Sequence, residues 1–209
     1  IVNPANFSVT AESNAAAVCV GQSVQLNTLV TPAPQIDSLL TTTANPNIAQ
    51  SFATTFNIIA TQTVNITGFK TQVISGTHAE VWYKVGGFNL SSPIDSGWIQ
   101  LGATVPITPA GVNNLTTIPI TNYLTIPAGA TYGFVVVIVG GLQVNEQTNN
   151  YASVYTNNAD IAITTGRIGI SNGSGVFSFN FFPRVWNGQV MYQKNEIYSY
   201  SWAPSNLLN

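Results

Sequence analysis

Along the stretch from Val18 to Val30, a short break at Gly21-Gln22 is followed by Val24, Leu26, Thr28 and Val30 alternating with polar or exposed positions. That is the period of a half-buried strand. Residues 1 to 35 read as two strands, around Phe7–Thr10 and Val18–Val30, which Pro32 and Pro34 end because proline lacks a ladder donor. Thr41 to Asn47 is a polar, turn-rich passage, and Gln50 to Ala60 reads as an edge strand with a bulge. Short strand candidates then follow at the spacing of a sandwich or jelly roll. They include Val64–Phe69, Ala79–Val85, Trp98–Leu101, Val105–Ile107, and Leu115–Ile120 with Leu124–Ile126 flanking a turn. In Ala79–Val85, the residues Val81, Tyr83 and Val85 share one face, and Glu80, Trp82 and Lys84 the other. Tyr132 to Val139 is apolar on both faces, which predicts a central strand covered on both sides. Asn145 to Asn158 reads as an amide-rich solvated loop, and Asn172-Gly173 and Asn187-Gly188 as tight turns. No stretch carries a helical period of useful length, and no internal repeat is present.

Composition narrows the setting. Charged residues make up 6% of the 209, while hydrophobic residues make up 45%. The polarity comes from Thr, Asn, Ser and Gln, which suits an extracellular β protein. A net charge of −2 without a basic run excludes a nucleic-acid partner, and leaves little self-repulsion between copies packed side by side. The apolar run Phe134–Val139 is too short to span a bilayer, so no membrane insertion is expected. Ile1-Val2-Asn3-Pro4 has no leader pattern, so the expectation is a mature product or a fragment. Cys19 is the single cysteine, and a lone thiol closes no intrachain disulfide.

Val18-Cys19-Val20-Gly21-Gln22-Ser23-Val24-Gln25-Leu26-Asn27 resembles the second strand of immunoglobulin-like and PKD-like repeats in secreted Bacteroidota surface proteins. In those repeats a Tyr-x-Trp-x-Pro strand follows closely. The matching segment here, Tyr198 to Pro204, comes only at the end of the chain. The intervening residues hold three motifs in the order found in β-sandwich modules of large Bacteroidota adhesins, including gliding-motility adhesins. These are Glu80-Val81-Trp82-Tyr83-Lys84, Leu124 to Phe134, and Pro183 to Tyr192. The resemblance implies an all-β architecture in which an Ig-like sandwich, incomplete in this chain, carries an inserted jelly-roll-like β-sandwich. Residues 1–36 form the first part of the host, 37–194 the insert and 195–209 the truncated continuation. The host should then belong to a longer polypeptide or take strands from a neighbouring copy, with Trp202 near Cys19. The resemblance also implies a Cys19 partner near a last strand that this chain lacks.

Catalysis finds little in the sequence. His78, the one histidine, stands in a Ser-Gly-Thr-His turn without a triad motif, and the seven acidic residues form no recognisable pair. No catalytic residue is therefore named, and no cofactor is expected beyond calcium. Its oxygen ligands would come from the amide-rich stretch, with Glu146, Asn158 and Asp160 as the candidates. Sugar binding is the stronger chemistry, because Trp and Tyr rings offer flat apolar faces with polar edges. The candidates are Trp82, with Glu80 and Lys84 on its strand face, together with Tyr151 and Tyr155. Trp98 belongs to the same pool of rings, whereas Trp186 and Trp202 read as structural. Asp37-Ser38-Leu39 resembles the O-glycosylation acceptor of Bacteroidota, with Ser38 as the modified residue in the crossing from host to insert. The function expected is a non-enzymatic adhesion or structural repeat of a large surface protein, extracellular, contacting neighbouring repeats or copies and surface glycans. The alternatives are a carbohydrate-binding module of a secreted enzyme and a strand-exchanging filament subunit.

Overall fold

The computed structural model describes residues 7–13, 26–32, 36–41, 48–88, 94–148, 154–171 and 175–194. The chain divides into two compact units, Ile1–Gln35 and Ile36–Asn209. In the first, β1 (Phe7–Ser13) pairs antiparallel with β2 (Leu26–Pro32), Phe7 opposite Pro32 and Ser13 opposite Leu26. β2 ends at Pro32, the proline expected to stop the pairing. Cys19, residues 18–25 and the Tyr198–Trp202 segment lie outside the described residues, and so does the expected packing of Trp202 near Cys19.

The second unit is entirely β among its described residues. Its strands are β3 (Ile36–Leu40), β4 (Ile48–Ser51), β5 (Ala53–Ala60), β6 (Val64–Thr71), β7 (His78–Val85), β8 (Ile94–Asp95), β9 (Ile99–Gln100) and β10 (Val105–Pro106). They continue with β11 (Thr116–Ile126), β12 (Thr131–Val139), β13 (Gln143–Gln147), β14 (Val154–Asn157), β15 (Ile161–Thr164), β16 (Gly166–Ser171), β17 (Phe177–Trp186) and β18 (Gly188–Lys194). A four-stranded sheet in the order β11-β6-β18-β3 faces a larger sheet whose main path is β10-β7-β12-β5-β16-β17-β13-β4. All of the described pairings are antiparallel, so the unit is a β-sandwich.

The main core lies between the sheets. Ile66 and Phe69 of β6, Ile118 of β11 and Val190 of β18 meet Phe56 and Ile58 of β5, Phe134, Val136 and Ile138 of β12, and Trp186 of β17. Trp186 stacks on Phe56 with ring centroids 4.3 Å apart. A second, smaller core covers the opposite face of the large sheet: Val135 and Val137 of β12, Ala53, Phe88, Trp98, Phe177 and Phe179. Both faces of β12 are therefore buried, as its unbroken apolar run predicts. Gly133 makes this closure feasible, because a Cβ there would lie 2.8 Å from the Phe88 backbone nitrogen and 3.0 Å from the Trp98 ring.

Several expectations need correcting. Asp37-Ser38-Leu39 is part of strand β3, not of a crossing, and Leu39 is buried. The Gln50–Ala60 segment breaks at Phe52 into edge strand β4 and β5, which is interior because β12, β15 and β16 pair with it. Leu115–Ile120 and Leu124–Ile126 are halves of the single strand β11, and the extra residues between Pro119 and Leu124 form a bulge opposite β6. The amide-rich stretch contains strands β13 and β14, and Asn145 is fully buried with its amide donating to Ser51 Oγ at 2.9 Å. Asn187-Gly188 is not a hairpin turn. β17 pairs within the large sheet and β18 within the small one, so the chain changes sheets at Asn187, and neither residue has positive φ.

Candidate functional site

Strand alternation fixes the site. On β7, Val81 enters the main core and Tyr83 packs against it, which turns Glu80, Trp82 and Lys84 to the other face, as the sequence predicts. There Trp82 lies opposite Val135 of β12 on one side and Gln100 of β9 on the other. The Trp82 ring is half-buried and meets Phe177 edge-on at 5.7 Å. Its indole N–H donates to Glu80 Oε2 at 3.0 Å. The other Glu80 oxygen accepts from Thr104 Oγ1 at 3.0 Å, and Gln100 Nε2 donates to Thr104 Oγ1 at 3.3 Å. These bonds lock the plane of the Trp82 ring and set a polar rim along its edge.

Lys84 serves a different purpose. Its ammonium donates to Asp95 Oδ1 at 2.6 Å and to the Ser96 carbonyl at 2.9 Å. The Asp95 side chain is only 6% exposed, so this pair neutralises a buried carboxylate beneath the site. The ammonium also stands 6.0 Å from the Trp98 ring centroid. Trp98 itself is buried against Phe177 and Phe179, and its indole N–H has no hydrogen-bond partner. It is a wall of the second core, not an exposed platform. No local sequence pattern marks Gln100, Thr104 or Asp95 as part of this site. The Trp98–Leu101 strand candidate held the signal for Gln100, but its register against β7 is a tertiary fact.

The other candidates stand apart. Tyr155 is on β14, and β15, β5 and β12 separate it from β7, about 19 Å across the sheet. It is therefore too far along the sheet to join Trp82 in one contact surface; its hydroxyl donates to Glu146 Oε2 at 3.3 Å. Burial raises the Glu146 pKa and this hydrogen bond works against the rise. Tyr151 lies outside the described residues. Ser38 is exposed, and its hydroxyl accepts from Gln189 Nε2 at 2.8 Å. His78 is exposed beside Thr77.

No hydrogen bond or ion pair brings Glu146 to Asn158 or Asp160, the other two residues named for calcium. Asn158 Oδ1 accepts from the backbone N–H groups of Asp160 and Ile161, an Asx turn, and its amide donates to the Tyr192 hydroxyl at 2.7 Å. That hydroxyl donates to Asp160 Oδ2 at 3.0 Å, and burial pushes its pKa upward, so Tyr192 stays a neutral donor. Lys194 Nζ lies 3.7 Å from Asp160 and 3.5 Å from Asp37. The amide and carboxylate oxygens here are acceptors in a polar network joining the two sheets.

No family model and no curated protein matches the chain. Among solved structures, the clostridial cysteine protease Cwp84 after propeptide cleavage aligns with 80% of this chain at 12% identity and a TM-score of 0.41. The structure of infectious bursal disease virus, Gt strain, aligns with 93% at 14% identity and a TM-score of 0.25. The chain spans 42% and 51% of those two chains. Similarity at this level carries no functional argument.

Proposed function

We propose that the chain is a non-enzymatic extracellular module of a large bacterial cell-surface protein, an adhesion or structural repeat that contacts neighbouring repeats or copies and surface glycans. The observation that supports this most is how the charged groups are used. Asp95 is held by Lys84, Asp160 by Tyr192 and Lys194, Glu80 by Trp82 and Thr104, and Glu146 by Tyr155. These carboxylates are acceptors in bonds that position strands and turns, and each is paired with a structural donor. Acid–base chemistry instead wants a carboxylate or histidine poised toward a substrate. The experiment couples the full chain to beads and measures their retention on cell-surface polysaccharide, beside turnover on ester and glycan substrates. Retention without turnover is the expected result, and turnover that depends on a described carboxylate would refute the reading.

A second reading, a carbohydrate-binding module of a secreted enzyme, draws on the same Trp82 face. The gene sequence separates the two: tandem copies of the Cys19-to-Trp202 pattern favour the adhesin, and a flanking hydrolase domain favours the enzyme module. The filament reading gains less support. Edge strand β11 carries both Pro119 and a bulge, and edge strand β3 is five residues long, features that blunt strand addition.

A further inference from the structure

The Trp82 face combines a ring with a rim of defined polarity. The ring is half-buried, meets Phe177 edge-on at 5.7 Å and packs against the second core, to which its cross-strand neighbour Val135 belongs. Along its edge stand Glu80, Gln100 and Thr104, joined in one hydrogen-bonded chain. No ion pair engages Glu80 among the described residues, and the nearest cation on the strand, Lys84, is committed to Asp95 and the Ser96 carbonyl. The rim therefore presents acceptor capacity and one uncompensated negative charge: the remaining lone pairs of the Glu80 carboxylate and the Gln100 amide oxygen. Such a rim receives hydroxyl donors and repels anions. Beside it, the buried indole N–H of Trp98 is a donor without a partner, in a ring that meets the same Phe177 edge-on at 5.9 Å.

We propose that Trp82, Glu80, Gln100 and Thr104 form a binding site for a neutral, hydroxyl-rich sugar ring, and that the site discriminates against acidic sugars. The pyranose C–H face packs on the Trp82 ring, and its hydroxyls donate to Glu80 and Gln100. Thr104 is a positioning residue that holds the carboxylate at the ring edge. Lys84, although it shares the strand face, neutralises Asp95 and takes no part in ligand recognition. This rests on the reading of the chain as a non-enzymatic binding module and adds the class of ligand.

The test is affinity electrophoresis of the full chain through gels containing a neutral β-glucan, a neutral mannan or polygalacturonate, followed by calorimetry with the neutral hexasaccharide that retards it most. Retardation by a neutral polymer and none by polygalacturonate is expected. Trp82→Ala should weaken binding about tenfold or more, and Trp82→Phe should retain part of it, with both variants melting as cooperatively as the parent. Glu80→Gln should keep the neutral ligand and reduce the discrimination against polygalacturonate. Neutral-glycan binding indifferent to Trp82→Ala and Trp82→Phe would overturn the proposal, as would preference for the acidic polymer or retardation by neither neutral polymer. Failure of the module reading looks different: it appears as turnover of substrate, whichever glycan is bound.

Discussion

Phe134 and Val135 are neighbours on β12 and face opposite cores: Phe134 lies between the sheets, 5.9 Å from the Phe56 ring, and Val135 belongs to the second core with Phe177, against which Trp82 packs. The two residues report on different parts of the unit. Phe134→Ala should cost about 3–5 kcal/mol, measured as a lower urea midpoint at unchanged slope. Val135→Ala should cost roughly 1.5–3 kcal/mol and alter the near-ultraviolet signal of Trp82 and Trp98.

How legible such features are in the sequence depends on which interaction fixes them. The burial of β12 is written in its composition, because a strand apolar at every position has no face to give to water. The faces of β7 are equally legible, through simple alternation. Asn145 and Asn187 were not legible, because their amides are buried by tertiary pairing while local preference favours turns. The same holds for β11, where a bulge absorbs residues that read as a turn. At the candidate site, Trp82 and Glu80 follow from one strand, while Gln100 and Thr104 arrive from another segment whose register no local pattern states.

Thr71 joins the two sheets at a polar point inside the main core. Its hydroxyl accepts from the buried Trp186 indole at 2.9 Å and lies 3.3 Å from Gln143 Oε1. Thr71→Val keeps the shape and removes these bonds, leaving a buried donor unsatisfied. A loss of about 2–3 kcal/mol is expected in denaturant melts, and Thr71→Ser should recover most of it.

Lys84 and Asp95 should respond unequally to truncation. Lys84→Met leaves the buried Asp95 carboxylate without its cation and should cost roughly 1–3 kcal/mol. Asp95→Asn leaves a partly exposed ammonium that water can reach, and should cost less. Equal losses in thermal melts would contradict the assignment of Asp95 as the buried partner.

Glu146 gives a pH dependence with a definite sign. Burial raises its folded pKa above the ordinary 4.5, so the unfolded chain releases this proton first as pH rises. Its contribution is fully present below the unfolded pKa and is lost as pH climbs through the folded value. Glu146→Gln keeps an acceptor for Tyr155 and removes the ionisation. The variant should therefore be no less stable than the parent at pH 7, and the stability difference between them should shrink on acidification to pH 4.

Ile36, the first residue of β3, pairs with Gln193, next to last in β18, so the first strand of the unit and its last described strand meet at one place. Tension applied through these two points crosses a single strand spacing, about 5 Å, and leaves the body of the unit slack beside the load path. Because the two strands are antiparallel with both loaded ends together, the load would open their hydrogen bonds in sequence, as a zipper, rather than shear them at once. The Lys194 contacts to Asp37 and Asp160 sit at the first tooth. Once past it, unravelling the roughly 160 residues behind the zipper would release on the order of 500 Å of chain. Pulled between these two points, the unit would therefore lengthen only after its closure had given.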